Sequence, residues 1–384
     1  MMDRRHFLKT GTVGTTAVLA ACAGKFPEPG WEISGHPADI RLRALQYAIL
    51  APSSHNSQPW LVEFTTANGL NLYVDRRRLL PASDPPARQI HISQGAFLEL
   101  LEIAAREFGS FAEFRYFPDG EYSNHVVEER PVASVTLQPE PTVTPDPLFA
   151  EIAKRHTNKR VYELGHTISA GEWAEIQSVP LTAGISWRVV TDEARRKAIA
   201  ALCTEAMSIE IASRDRNRET AQWFRFSDRE LRDKRDGFGM AQSGTEGVKK
   251  WFVETFVLSR ERAADPEGQF AQGAVTQTRE QAESGAAFAA LVSKTNSRLD
   301  QVLVGRAYAR VHLTASRLGL AMQPFSQVLE EYPEMIDLQK RMKRTLNVEE
   351  EHTVQMLFRL GHATPTPPAP RRDITTLMRQ PAGS

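Results

Sequence analysis

The chain has 384 residues, enough on length for about two to three domains with sizeable cores. Lys plus Arg and Asp plus Glu are equal at 47 each, so no global field draws the protein to nucleic acid or an anionic surface, and nothing in it reads as a nucleic-acid binder. Its two cysteines, Cys22 and Cys203, are too few for a disulfide framework or a thiolate metal site, and the composition fits neither a membrane nor a fibrous protein.

Residues 3–9, Asp-Arg-Arg-His-Phe-Leu-Lys, followed by a mildly apolar run of small residues to position 23, resemble a twin-arginine export signal. The run is too short for an ordinary spanning helix. Leu19-Ala20-Ala21-Cys22 looks like a bacterial lipobox, in which Cys22 becomes the lipidated first residue; the alternative is soluble release after Ala21 or Ala23. Both place the protein in the periplasm or cell envelope. Residues 24–37, with Pro27, Pro29 and three glycines, read as a tether.

The globular part begins near Pro37, and Asp39 caps a helix with Leu42, Leu45 and Ile49 at apolar spacing; Pro52 stops it. Next comes APSSHNSQPW, residues 51–60, a compact polar turn between that helix and strands at 61–64 and 70–74, which are joined at Asn68-Gly69. Ser53, Ser54, His55, Asn56 and Gln58 offer donors and acceptors, and Pro52, Pro59 and Trp60 stiffen the backbone. The edge of a heterocycle suits such a loop, and so does a packed turn without ligand. Residues 75–86, with Arg76-Arg77-Arg78, read as a solvated surface loop. An amphipathic helix follows at 93–109, then strands at 112–117 and 132–137.

Pro139, Pro141, Pro145 and Pro147 mark a linker, 141–147, between a first half at 38–140 and a second at 148–373, with a tail at 374–384. A helix over 146–154 leads into Arg155-His156-Thr157-Asn158-Lys159-Arg160. A strand at 185–190 and a helix at 193–212 precede a highly charged stretch, 213–300, read as an insertion that either covers a pocket or decorates the surface. Gly305 and Gly319 then bracket a helix of the same length as Gly95 and Gly109, and Leu101, Ile103, Ala105 and Phe108 pair at constant offset with Val311, Leu313, Ala315 and Leu318. One core helix thus reads as occurring twice, although amphipathic helices also match by chance. A helix near 334–346, a strand at 353–360, Gly361-His362 and Arg371-Arg372 close the chain.

The sequence holds no P-loop, no G-x-G-x-x-G and no H-E-x-x-H helix, so anion recognition falls to the basic clusters. Arg155 and Arg372 suit a phosphate monoester, with Thr157 as a hydroxyl donor, and Lys159 suits the pyrimidine end of a flavin. Basic side chains complementing a helix C-terminus give the same local pattern.

Together, KRHTNKRVYE at 154–163, the loop APSSHNSQPW, the glycine-bracketed helix with Gly319 to Pro324, and Gly361-His362 with Arg371-Arg372 resemble the nitroreductase family over residues 38–373. The resemblance implies an α+β nitroreductase-like fold and one FMN, held by Arg155, Thr157, Lys159 and Arg372 and reached from the other half by Pro52, Ser53, Ser54 and Asn56. The loop precedes the phosphate motif here, the reverse of single-domain members. That order, with the repeated helix, resembles the Acg-type branch, in which two fused and diverged halves form an intramolecular pseudo-dimer, hence a monomer. Pro324 and Phe325 stand beside the flavin where many members carry Glu-Gly, and a bulky Phe325 crowds a nicotinamide. The implied activity is an exported FMN-dependent oxidoreductase that passes two electrons through flavin N5 to a nitro, quinone or similar small-molecule acceptor, its electron donor open. No side chain is expected to act as a covalent catalyst. The alternative is a non-catalytic protein that sequesters FMN under a lid formed by 213–300. A serine hydrolase built on Ser53 or Ser54 with His55 is disfavoured, because adjacent side chains seldom reach nucleophile-base geometry.

Overall fold

Helix α1 (Ile40–Ala48) starts at Asp39, whose carboxylate accepts from the Arg41 backbone N–H at 2.9 Å and so satisfies a donor that the helix start leaves open. The computed structural model describes residues 37–247, 250 and 259–379. The expected export signal, Cys22 and all of the tether before Pro37 lie outside the described residues.

After α1 come β1 (Trp60–Phe64), β2 (Gly69–Val74), α2 (Arg88–Glu107), β3 (Ser110–Tyr116) and β4 (Ala133–Pro139). They form an antiparallel sheet in the order β1-β2-β4-β3. Helix α2 begins at Arg88, earlier than its apolar stripe suggests. Its true start signal is Asp84, whose side chain accepts from the backbone N–H groups of Arg88 at 2.9 Å and Ile90 at 3.2 Å.

The second series is α3 (Ala170–Gln177), β5 (Ile185–Val190), α4 (Glu193–Ile211), α5 (Arg214–Trp223), α6 (Asp228–Lys234), α7 (Arg260–Ala263), α8 (Gln269–Glu283), β6 (Ala287–Ser293), α9 (Arg298–Arg317), β7 (Ala321–Pro324), α10 (Ile336–Leu346) and β8 (Thr353–Gly361). Its sheet, again antiparallel, runs β5-β6-β8-β7. The order thus repeats position for position. Where β1 and β2 are joined by the turn at 65–68, β5 and β6 are separated by residues 191–286, so the helical insertion grows from one hairpin.

Two expectations are corrected by these elements. Residues 287–293 belong to no insertion: they form β6, buried at every position in the middle of the second sheet. A strand covered on both faces shows a continuous apolar run, Ala-Phe-Ala-Ala-Leu-Val, rather than alternation. Residues 146–154 do not form a regular helix but a 3₁₀ turn at Phe149–Glu151. Asp146 turns its carboxylate to the Leu148 N–H at 2.9 Å, and Leu148 and Ile152 bury in the first core.

Helices α2 and α9 cross at two glycines. A Cβ on Gly95 would lie 1.8 Å from the Val302 carbonyl oxygen, and one on Gly305 would lie 1.9 Å from that of Ile92. The contact is reciprocal, backbone against backbone, and only glycine permits it. Beside it, Glu99 takes ion pairs from Arg306 at 2.8 Å and Arg310 at 2.6 Å, and Arg310 reaches Asp146 at 2.8 Å. At its end the chain returns to the first sheet: Met378 bridges Val62 in parallel, the Arg379 N–H donates to the Val62 carbonyl at 2.7 Å, and Leu377 is fully buried there.

Candidate functional site

The end of α1 turns three carbonyls, those of Ile49, Leu50 and Ala51, toward two buried arginines. Arg371 donates to Ile49 at 2.9 Å and to Leu50 at 3.2 Å, and Arg155 donates to Leu50 at 3.1 Å. Among the described residues no carboxylate pairs with either. Burial pushes Arg155 down to about 10; burial, and then the charge of Arg155, push Arg371 down to about 9. Two desolvated cations side by side are costly unless an anion joins them. His312, on the inner face of α9, gives its Nε2–H to the His156 carbonyl at 3.1 Å, which leaves Nδ1 to accept from Arg155 Nη1 at 3.4 Å. Arg155 Nε and the Tyr308 hydroxyl are buried there without a hydrogen-bond partner.

The loop after these carbonyls is wound tightly. His55, Asn56 and Gln58 have φ of 53°, 51° and 52°, left-handed backbone that non-glycine residues seldom adopt, and the Ser53 hydroxyl accepts from the Gln58 N–H at 3.1 Å to hold the turn. Asn56 gives its amide N–H groups to the carbonyls of Gly237 at 2.8 Å and Pro370 at 3.0 Å, while its buried Oδ1 and the Nδ1 of His55 have no partner. The 154–160 segment is fixed beside it: the Asn158 N–H donates to the Met322 carbonyl at 3.1 Å, and its side chain donates to the Thr364 carbonyl at 2.9 Å. Thr157 takes part through its carbonyl, which accepts from the Thr366 hydroxyl at 3.3 Å.

The insertion closes on this loop through residues 235–238. The Gly237 N–H donates to the Asn56 carbonyl at 3.2 Å, and Gln58 donates to the Arg235 carbonyl at 3.0 Å. Gly237 has φ +69°, and a Cβ there would lie 2.1 Å from the Trp223 carbonyl oxygen, so the strap needs glycine at this point. Phe238 lies with its ring 5.8 Å from that of His55 and 4.8 Å from Lys159 Nζ. Burial lowers Lys159, with Glu210 opposing, and burial and then Lys159 hold His55 down to about 4, so His55 is neutral at pH 7. Glu210 is buried on α4, and desolvation raises it to about 7.

The loop that carries Pro52, Ser53, Ser54 and Asn56 therefore meets the segment that carries Arg155, Thr157 and Lys159, joined by the Arg155 bond to the Leu50 carbonyl across 105 positions and by Phe238 between His55 and Lys159. Arg372 does not join them. It turns to the Gln58 carbonyl at 3.0 Å and the Thr376 carbonyl at 2.8 Å, and Arg371 stands beside Arg155 instead. Nor does Phe325 crowd the site: it is buried in the second core with its ring 6.0 Å from that of Phe288, while Pro324 ends β7. The aromatic ring over the loop is that of Phe238. His312, Tyr308, Phe238 and Glu210 carry no motif that marks them in the sequence; the one available signal was the arginine next to Arg372. Among the described residues no group of His, Cys, Asp or Glu is arranged to hold a metal ion, and no helix is long and apolar enough to cross a membrane.

No family model matches the chain. Among solved structures, the chain is similar to the FMN-dependent nitroreductase NfnB of Mycobacterium smegmatis in complex with NADPH, with 13% identity, a TM-score of 0.36, and coverage of 60% of this chain and 96% of that one. Iodotyrosine deiodinase bound to FMN and 3-iodo-L-tyrosine gives 12% identity, a TM-score of 0.35, and coverage of 59% and 96%. Among curated proteins, it is 27% identical over 201 residues to PigM of Serratia, named as a probable NAD(P)H nitroreductase, covering 51% of this chain and 54% of that protein. Over an alignment of 352 positions that covers 88% of this chain and 90% of that protein, the chain is 28% identical to Rv3131 of Mycobacterium tuberculosis, provisionally named an NAD(P)H nitroreductase.

Proposed function

We propose that the chain is an FMN-dependent oxidoreductase of nitroreductase type, an exported, intramolecular pseudo-dimer that holds one flavin between its two halves. The observation that carries this is the buried pair Arg155 and Arg371, two guanidiniums without a carboxylate, whose forks match a phosphate monoester. The unpartnered Asn56 Oδ1, His55 Nδ1 and Arg155 Nε add polar atoms suited to a heterocycle edge and a phosphate. Bound FMN supplies two-electron chemistry at N5 toward a nitro, quinone or similar acceptor. Lys159, 4.8 Å from the Phe238 ring, would offer a positive charge to the part of the flavin that becomes electron-rich on reduction, and the strap at Gly237-Phe238, tied to Asn56, would shield the bound group from water. The repeated strand order and the reciprocal glycine crossing support the fused-dimer reading. Export rests on the arginine pair at Arg4-Arg5 and on Leu19 to Cys22, with a lipid anchor through Cys22 as the expected tether.

A second reading, a protein that sequesters FMN, is favoured by the insertion strap lying across the loop. Anaerobic titration of the flavin-loaded protein with NADH, NADPH, a quinol and dithionite separates the two. Bleaching by a nicotinamide or quinol, then reoxidation by a nitroaromatic, is expected of the enzyme; bleaching by none leaves sequestration. In the same preparations Arg155→Ala and Arg371→Ala each weaken FMN binding by about 1.5–3 kcal/mol, the range for hydrogen bonds to charged groups. Arg372→Ala weakens it less. Unchanged flavin affinity in both of the first two variants removes the phosphate assignment.

A further inference from the structure

On the outer side of the loop, a cleft of about 650 Å³ opens between the segment after β2, the end of α5, the turn after α6 and the C-terminal return. Its size falls in the range of small-ligand sites. Its walls carry more positive than negative charge. Asp236 is shared by Arg225, whose Nε lies 3.2 Å away, and Arg78, at 2.9 Å. Asp75 is shared by Arg77 at 2.9 Å, Arg78 at 3.5 Å and Arg372 at 3.8 Å. Four guanidiniums thus lean on two carboxylates. Arg235 spends its Nε on the Arg371 carbonyl at 2.8 Å, and its buried Nη2 has no hydrogen-bond partner. The half-buried indole of Trp223 lies in the same wall, with the guanidinium carbons of Arg78 and Arg225 at 5.7 and 5.9 Å from its ring.

We propose that this cleft is a second anion site, which takes the pyrophosphate of a nucleotide on Arg78, Arg235 and Arg372 and its base on Trp223. Arginine forks bind phosphate oxygens in pairs, and an indole face is a stacking platform for a heterocycle. The site stands apart from Arg155 and does not depend on the flavin reading. Occupancy would nonetheless be felt by the loop, because Arg78 donates to the Ser57 carbonyl at 2.9 Å and Arg372 to that of Gln58 at 3.0 Å.

Calorimetric titration of the purified, flavin-loaded protein with pyrophosphate, ADP and adenosine tests this. Pyrophosphate and ADP are expected to bind at one site per chain, ADP at least threefold tighter, and adenosine weakest. Arg235→Ala weakens both anions tenfold or more, Trp223→Leu brings ADP down to the level of pyrophosphate, and Arg155→Ala leaves both within threefold of the parent. Absence of binding by both anions at millimolar concentration overturns the site. Loss of binding in Arg155→Ala with retention in Arg235→Ala also overturns it, since the anion then occupies the arginine pair of the loop. ADP still binding at least threefold tighter than pyrophosphate in a Trp223→Leu variant that melts like the parent overturns the nucleotide assignment.

Discussion

Glu210 shows how far burial changes a single group in this protein. It has 7% exposure and sits near the Lys159 ammonium, yet desolvation outweighs the attraction of Arg216 and Lys159 and raises its carboxyl to about 7. The unfolded chain releases that proton near the ordinary value of about 4.3. Its contribution to stability is therefore fully present below about 4.3 and is lost as pH rises through about 7. Glu210→Gln, which cannot ionise, should match the parent near pH 4.5 and exceed it by about 1–3 kcal/mol at pH 8, as urea unfolding at the two pH values would measure. A variant less stable than the parent at pH 8 would mean that the carboxylate is held as a partner of Lys159. His55 has the opposite sign: with its folded value lowered to about 4, its contribution is fully present above the ordinary value of about 6.5 and is lost as pH falls through about 4.

The pair α2 and α9 is the element on which the two sheets meet, and its spacing is set by two hydrogen atoms. At Gly95 and Gly305 an added methyl meets a backbone oxygen, which no side-chain rotation relieves. Gly95→Ala and Gly305→Ala should each cost about 1–3 kcal/mol or more by forcing the helices apart, and the two costs should be similar because the contact is reciprocal. Gly273→Ala is the matched control. That glycine lies in α8 with nothing within 4 Å of an added Cβ, so the change should stabilise by about 0.5–1 kcal/mol. Chemical unfolding of the three variants checks this, and a neutral Gly95→Ala would deny the crossing its close approach.

For the whole molecule, the embrace of the first sheet by both ends of the second series decides whether the halves can part. Leu148 and Ile152 lie in the first core ahead of α3, and Leu377 lies in it after β8. Residues 38–140 expressed alone lose these three side chains and the strand partner at Met378, so neither this piece nor 145–384 should unfold cooperatively by itself. Mixing the two should restore a cooperative transition. Two independently stable, cooperatively unfolding fragments would show that the halves are separate domains.

Local patterns made much of this chain legible in advance. Asp39 announces a helix, the matched glycines at 95, 109, 305 and 319 point to two equal helices, although Gly95 and Gly305 lie inside Arg88–Glu107 and Arg298–Arg317 and do not bracket them, and the polar loop at 51–60 and the basic run at 155–160 stand out by residue type. These features act over a few residues, so they survive in the sequence. The choice of Arg371 over Arg372 at Arg155 was not legible, because neighbours on a non-helical segment point different ways and only the surrounding fold selects one. Strand β6 hid within a charged stretch because a strand buried on both faces carries no alternation. Phe238 reaches His55, and Gly237 reaches Asn56 across 181 positions, through an insertion that no local rule docks anywhere. Contacts of that separation depend on which surfaces remain uncovered after both sheets have packed, and that is a property of the assembled fold.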